Sequence, residues 1–375
     1  MSGSGSDKQG LKKVIFNLLI LLFMVGLMEV GSMVYFKRAA WRFTFNDPQV
    51  HVIDDEKIES VRSFYSYELG IDVNPEGRPL ITDYGTNLMV TYGDSFTEGN
   101  ILSDKDTWQT AMSSNLQVNV LNQGHNGYGT DQAYLRFKKY HPELGTPWAA
   151  LCLISENINR CLNVYRPYYT PISGTYLPKP RFLLEKGKNE LLPNPLKSAD
   201  ELHRLKDPDF YEVMGKHDRW YNTGNKPRFG FPYTRLLFSE YIWKVLAAHR
   251  RGVALHQATP GEVDTWNDLE ARQIMLNIID DFFADAERMG VKPVLVFIPM
   301  KEEVEEVRAG VLPLSLKIVR EHCASRGYLF FDGMLSFAEA GMDVGDLYDE
   351  TVHPSSAGCQ LFGTAFAGFM KEEMR

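Results

Sequence analysis

Five short apolar runs punctuate the chain: Asn87–Tyr92 stopping at Gly93, Val118–Leu121, Trp148–Ile154, Pro293–Ile298 and Tyr328–Phe331. Each is apolar on both faces and closed by Gly, Ser, Pro or Asp, the pattern of central strands covered on two sides. Between them the apolar positions follow a helical period: Thr107–Asn115, Asp131–Tyr140, Leu269–Met289, Leu314–Ser325 and Ser355–Glu373. Strands alternating with helices predict parallel βαβ units in a three-layer α/β/α sandwich.

One interval breaks this rhythm. Residues 164–265 hold ten of the chain's 19 prolines and show no βα repeat. They read as an insertion between the third and fourth strands. Arg181–Leu192 has the pattern of a hairpin turning near Gly187, and Phe238–His249 that of a helix. Insertions at the carboxyl end of such a sheet often shape a ligand site. A spacer or a partner-docking surface is the plainer alternative. The insertion's aromatics (Tyr165, Tyr168, Tyr169, Tyr176, Trp220, Tyr221, Tyr233) could stack on sugars or form a small core of their own; the core is preferred.

The N-terminus has a pattern of a third kind. Residues 1–13 read as a flexible tail. Val14–Phe36 is then a largely apolar run of 23 residues whose only charge is Glu29. That suffices for the roughly 20 residues of a transmembrane helix. A cleaved signal peptide or a buried soluble helix would be the alternatives. However, the run is longer than an apolar signal core of about 7–15 residues, and Gly31-Ser32-Met33 is a poor cleavage site. Glu29 lies near one end, where a carboxylate reaches the interface. Lys8, Lys12 and Lys13 precede the span while Lys37, Arg38 and Arg42 follow it, so flanking charge barely decides orientation. Residues 37–60 read as a juxtamembrane linker and 61–375 as the folded domain.

Composition narrows the function. Of 375 residues 44% are hydrophobic, too many for a disordered chain. A net charge of −8 and a pI near 5.7 argue against nucleic acid as a partner. The four cysteines form neither a disulfide framework nor a metal spacing; Cys152 and Cys359 lie in apolar stretches and read as buried hydrophobes, although a disulfide is not excluded by sequence.

Four blocks carry chemistry. The first strand runs into Gly93-Asp-Ser95-Phe-Thr-Glu-Gly99, which places a serine at a helix N-terminus on the carboxyl edge of the sheet. Asp94 and Ser95 are also ordinary N-cap types. The second strand ends at Asn122-Gln-Gly124-His-Asn-Gly127-Tyr-Gly129, a turn whose glycines allow close backbone approach. The third ends at Ser155-Glu-Asn157, an amide or a helix cap. Near the C-terminus stands Asp346-Leu-Tyr-Asp349-Glu350-Thr-Val-His353-Pro. Acids preceding a histidine can orient its ring; a metal site of Asp346, Asp349, Glu350 and His353 is conceivable, as is a plain surface histidine.

Taken together and in this order, the blocks resemble the SGNH (GDSL) hydrolase family over roughly residues 60–375. The resemblance implies a flavodoxin-like parallel sheet. Ser95 matches the nucleophile, His353 the general base, and Ser95, Gly127 and Asn157 the oxyanion hole. The third block departs from the usual Gly-x-Asn-Asp. The usual acid is an Asp three residues before His; that position is Glu350 here, with Asp349 in reserve. No cofactor or metal is required.

Such a triad implies acyl transfer through an acyl-serine. An esterase acting on an acyl ester, expected to be acetyl, of a cell-envelope glycan or an acylated small molecule is the first reading. An O-acyltransferase working beside a membrane-bound O-acyltransferase, and an inactive glycan-binding module, are the alternatives. The family layout places the catalytic domain outside the cytoplasm, held to the membrane by residues 14–36.

Overall fold

The computed structural model describes residues 4–40, 52–168, 170, 176–222, 227–239, 241–243, 246–247 and 265–375. Helix α1 covers Ser4–Ala39, so helical backbone reaches well into the stretch that reads as a tail. Residues 14–30 are almost wholly exposed along it, and its 28 residues Lys12–Ala39 are long and apolar enough to cross a membrane. Among its described side chains, only those of the last turns are buried, at Ser32, Phe36 and Ala39.

The expected linker is partly folded. Asp54 caps helix α2 (Asp55–Arg62) by accepting the Lys57 N–H at 2.9 Å. Its sequence DEKIESVR looks soluble because only Ile58 is fully buried. A two-residue antiparallel pair, β1 (Tyr65–Ser66) and β2 (Gly70–Ile71), follows.

The central sheet contains β3 (Asn87–Tyr92), β4 (Asn119–Asn122) and β5 (Trp148–Leu153) before the insertion. After the insertion come β8 (Lys292–Phe297) and β9 (Phe330–Asp332). The order is β4-β3-β5-β8-β9 and every pairing is parallel. Taken as strands one to five this is 2-1-3-4-5, the flavodoxin-like order. All six positions of β5 are buried, which is why its sequence carries no alternation. Chain direction away from β3 reverses between β3 and β5, and open α/β sheets bind ligands at that switch point.

Between β3 and β5 lie α3 (Ser95–Glu98), α4 (Trp108–Leu116) and α5 (Thr130–Leu144), with α6 (Asn157–Arg160) after β5. The C-terminal third adds α9 (Leu269–Arg288), α10 (Lys301–Arg308), α11 (Leu314–Arg326), α12 (Gly333–Ala338), α13 (Val344–Leu347) and α14 (Ser356–Glu373), α7 and α8 being in the insertion. Helices α5 and α9 pack together on one face, joined by α11 through Asp280, which meets His322 at 2.7 Å and Arg326 at 2.9 Å. Helices α4, α12 and α14 cover the other, giving the three expected layers. Helix α9 shows how sequence dictates this: Asp268 caps it, and Ala271, Ile274, Met275, Ile278, Phe282 and Ala286 form one buried stripe.

The insertion has its own core. It contains the hairpin β6 (Arg181–Glu185) and β7 (Lys188–Leu192), turning at Lys186-Gly187 as expected. It also holds a 3-10 stretch Ala199–Lys206, α7 (Pro208–Gly215) and α8 (Arg219–Asn222). Tyr165, Tyr168, Tyr211, Trp220, Leu196 and Leu205 cluster in its interior with Ile53 and Ile58. Tyr165, Tyr168 and Trp220 are therefore core side chains rather than a sugar platform. Tyr169 lies outside the described residues. So does part of Phe238–His249; within that interval 241–243 and 246–247 are helical, and a 3-10 helix ends at Phe238.

All four cysteines are buried and free. Burial pushes the Cys323 and Cys359 thiols up to about 12 and those of Cys152 and Cys161 higher still.

The α4–α14 contact is close enough to test. A Cβ on Gly363 would sit 2.2 Å from the Trp108 carbonyl oxygen, whereas one on Gly368 would meet nothing within 4 Å. Gly363→Ala should destabilise by about 1–3 kcal/mol through overpacking. Gly368→Ala should stabilise by about 0.5–1 kcal/mol by restricting the unfolded chain. Thermal or urea unfolding of the two variants measures both; equal effects would refute the packing.

Candidate active site

The four sequence blocks meet at the carboxyl edge of β3 and β5. Strand β3 delivers the chain through Gly93 into α3, whose first residue is Ser95. Asp94 caps that helix: its Oδ1 accepts the Phe96 N–H at 2.9 Å. Its other oxygen, Oδ2, accepts from Asn157 Nδ2 at 2.8 Å and from Arg160 Nη1 at 3.2 Å. One buried carboxylate therefore ties the start of α3 to the helix that follows β5.

The turn after β4 is pressed against α3. A Cβ on Gly124 would lie 2.3 Å from the Glu98 nitrogen, so only glycine fits. Asn122 locks this approach by donating to the Thr97 and Glu98 carbonyls at 3.1 Å each and accepting the Gly124 N–H at 2.9 Å. Gly127 has φ +81°, a left-handed conformation that strains most residues bearing a Cβ. Its carbonyl accepts from Arg166 Nη1 of the insertion at 2.7 Å, and the neighbouring Tyr128 carbonyl accepts from Arg160 Nη1 at 2.9 Å. Among the described residues neither the Ser95 N–H nor the Gly127 N–H has an acceptor. Asn157 Nδ2 uses one hydrogen on Asp94 and keeps a second; its Oδ1 accepts the Ile154 N–H at 3.2 Å.

The fourth block returns from β9. His353 Nε2 lies 2.9 Å from Ser95 Oγ, and its ring packs on Phe96 with centroids 4.9 Å apart. His353 Nδ1 has two acceptors, Thr351 Oγ1 at 2.8 Å and the Thr351 carbonyl at 3.2 Å. Thr351 Oγ1 is also 2.8 Å from Asp349 Oδ1. A carboxylate only accepts, so the threonine proton goes to Asp349 and its lone pair faces Nδ1–H. With the ring proton held at Nδ1, Nε2 presents a lone pair to the serine hydroxyl.

The structure places the two acids differently from what their spacing to His353 suggests. Glu350, favoured by three-residue spacing, is exposed, and no hydrogen bond joins it to His353 among the described residues. Asp349 stands closer, yet it too does not touch Nδ1. It accepts the His353 backbone N–H at 3.0 Å and the Thr351 N–H at 2.7 Å, and reaches the ring only through the Thr351 hydroxyl. The cause is local: Val352 has φ +64°, an outlier for a β-branched residue, and this tight turn directs Glu350 away. Nor do Asp346, Asp349, Glu350 and His353 converge as metal ligands; among the described residues no such group exists.

Burial holds the His353 pKa below its usual 6.5, against the opposing charges of Asp94 and Asp349; Arg160 adds to the lowering. The ring is thus neutral at neutral pH, the form that accepts a proton. Thr351, Arg160 and Arg166 were not evident as site residues in sequence. Only Thr351 left a signal, its position midway between acid and histidine.

No protein-family model matches the chain, and no curated protein sequence does. Similar solved structures include a member of the lipolytic G-D-S-L family from Veillonella parvula, at 9% identity over 76% of this chain and 97% of that one, TM-score 0.36. Another is an α/β hydrolase enzyme from the metagenome of Lake Arreo, at 13% identity over 77% and 97%, TM-score 0.38. A third is a catalytic mutant of an acetylxylan esterase from Geobacillus stearothermophilus, at 12% identity over 76% and 94%, TM-score 0.39. Identities are low and the superpositions loose, so residue roles rest on the geometry above.

Two outcomes are expected. Asp349→Asn and Thr351→Val should each lower turnover of an activated ester by on the order of 10²-fold, the scale of general-base assistance, while Glu350→Gln stays near wild type. A larger loss in Glu350→Gln than in the other two would reinstate Glu350. As for pH, kcat/KM should fall as the buried ring gains its proton, with the acid-side half-point below 6.5. A pH profile with that half-point above 6.5 would contradict the burial of the base.

Proposed function

We propose that the chain is a serine ester hydrolase that works through an acyl-serine. The observation that carries this reading is the 2.9 Å contact between His353 Nε2 and Ser95 Oγ, with the opposite ring nitrogen held by Thr351. Serine is a poor nucleophile at neutral pH and needs such a base.

The steps follow from the geometry. Ser95 Oγ attacks the acyl carbonyl carbon while its proton passes to His353 Nε2. The carbonyl oxygen becomes an oxyanion that the Ser95 N–H, the Gly127 N–H and the second Asn157 amide hydrogen are free to receive. One such donor is worth about 10²–10³ in turnover. Collapse breaks the ester bond, and the leaving alcohol takes the proton from His353. Water then attacks the acyl-serine, gives a proton to His353, and the second collapse returns it to Ser95 Oγ and releases the acid. Asp349, acting through Thr351, favours the protonated ring in both halves.

The substrate we propose is an acetyl ester of a cell-envelope glycan, hydrolysed outside the cytoplasm by a domain tethered through α1. Its support is the family resemblance and the single apolar helix ahead of the catalytic domain.

A membrane-impermeant fluorophosphonate tests chemistry and sidedness together. Intact cells should show labelling that Ser95→Ala abolishes, with turnover reduced by roughly 10⁴-fold or more. Labelling only after lysis would reverse the sidedness. Labelling that persists in Ser95→Ala would remove Ser95 from the role of nucleophile.

A further inference from the structure

The insertion returns to α1 in a way that the hydrolytic site does not require. At Glu29 the carboxylate accepts the Thr234 N–H at 2.9 Å, the Thr234 hydroxyl at 2.8 Å and the Tyr233 N–H. These are the first residues of the 3-10 helix Tyr233–Phe238, so a carboxylate on an apolar helix is neutralised by the free N–H groups of another element. Beyond this clasp Leu236, Tyr241 and Ile242 bury Phe36 and Ala39 in a small apolar cluster, with Phe229 and Tyr233 packed against it.

The opposite side of this segment is uncovered and aromatic. Phe231 is 80% exposed, Phe238 81% and Trp243 56%. Val34 and Tyr35 of α1 are exposed beside them, as are Lys37, Arg38, Arg228 and Arg235.

Height along α1 says what covers them. A hydrocarbon core of about 30 Å takes about 20 residues at 1.5 Å each, so a span beginning at Val14 leaves the core near residue 33. Glu29 then lies about one turn inside the boundary and Ala39 about two turns outside it. The segment clasped between those levels straddles the boundary between acyl chains and headgroups. Aromatic side chains and cations gather at that depth, the rings among glycerol and carbonyl groups and the cations on phosphates.

We propose that residues 229–239 and 241–243 form an interfacial platform that inserts Phe231, Phe238 and Trp243 into the lipid around α1, with Glu29 as the clasp. The occupant is the bilayer itself, reached by direct continuity with the spanning helix. A single helix would leave the domain free to swivel; a second contact fixes its orientation to the membrane plane. The inference rests on α1 crossing a bilayer and is independent of the ester chemistry.

The test uses the full chain in vesicles of phosphatidylglycerol and phosphatidylcholine in equal parts. The native thiols are buried and unreactive, so spin labels report only introduced sites. Nitroxides are placed by Phe238→Cys and Trp243→Cys, with Leu21→Cys as the lipid reference and Lys186→Cys, on the hairpin tip, as the aqueous one. Accessibility to oxygen, which concentrates in lipid, is compared with that to a water-soluble nickel chelate. Labels at 238 and 243 should favour oxygen several-fold over the label at 186, and Glu29→Ala should shift them towards nickel. If they match position 186 while position 21 remains in lipid, the platform is refuted and the span stands. Labels shielded from both reagents would mean that a protein covers the patch, which also refutes it. A water-exposed label at 21 would remove the span and the platform together. An unchanged ratio in Glu29→Ala would remove Glu29 from its role.

Discussion

The site depends on one buried carboxylate. Asp94 has to cap α3, because a helix that starts at Ser95 leaves its first N–H groups without partners. The same group receives Asn157 and Arg160 from the far side of the switch point. Helix start, the Asn157 amide that we propose for the oxyanion hole, and a buried cation are thus tied to one side chain that is 2% exposed. Breaking a buried ion pair typically costs about 3–5 kcal/mol, so this position is constrained by stability as firmly as by chemistry. Arg160 carries the constraint on to the Tyr128 carbonyl, beside Gly127.

The histidine that we propose as base is held in a different way. His353 sits on a loop, not on the sheet, and loops need help to hold a ring to within a few tenths of an ångström. Here the help is a turn with Val352 in a left-handed conformation, Asp349 folding its own loop by three hydrogen bonds, and Thr351 standing between acid and ring. The carboxylate serves first as a brace of the loop and second, at one remove through Thr351, as a neighbour of the His353 ring.

Much of this was readable from residues alone, and the exceptions have physical causes. The five central strands stand out because both faces are buried, as the six apolar positions of β5 show. The meeting of Ser95 with His353, 258 positions apart, follows from placing both blocks on one edge of that sheet. The acid did not follow: spacing favours Glu350, but the turn is made by a valine, which gives no sign of a left-handed backbone. Helix α2 was hidden for a similar reason, since a single buried isoleucine in a charged octapeptide resembles a linker. The clasp at Glu29 was beyond sequence altogether, because its partner lies 204 positions away and bonds through backbone N–H groups.

The buried cysteines bear on where such a chain can mature. Exchange needs a thiolate, and burial suppresses the thiolate at all four positions. None is paired, so no disulfide must form before the sheet is complete and none can be scrambled afterwards. The folded protein is indifferent to the redox poise on either side of a membrane, and a chain translocated into an oxidising compartment would reach its native state without an oxidase or isomerase to assist it.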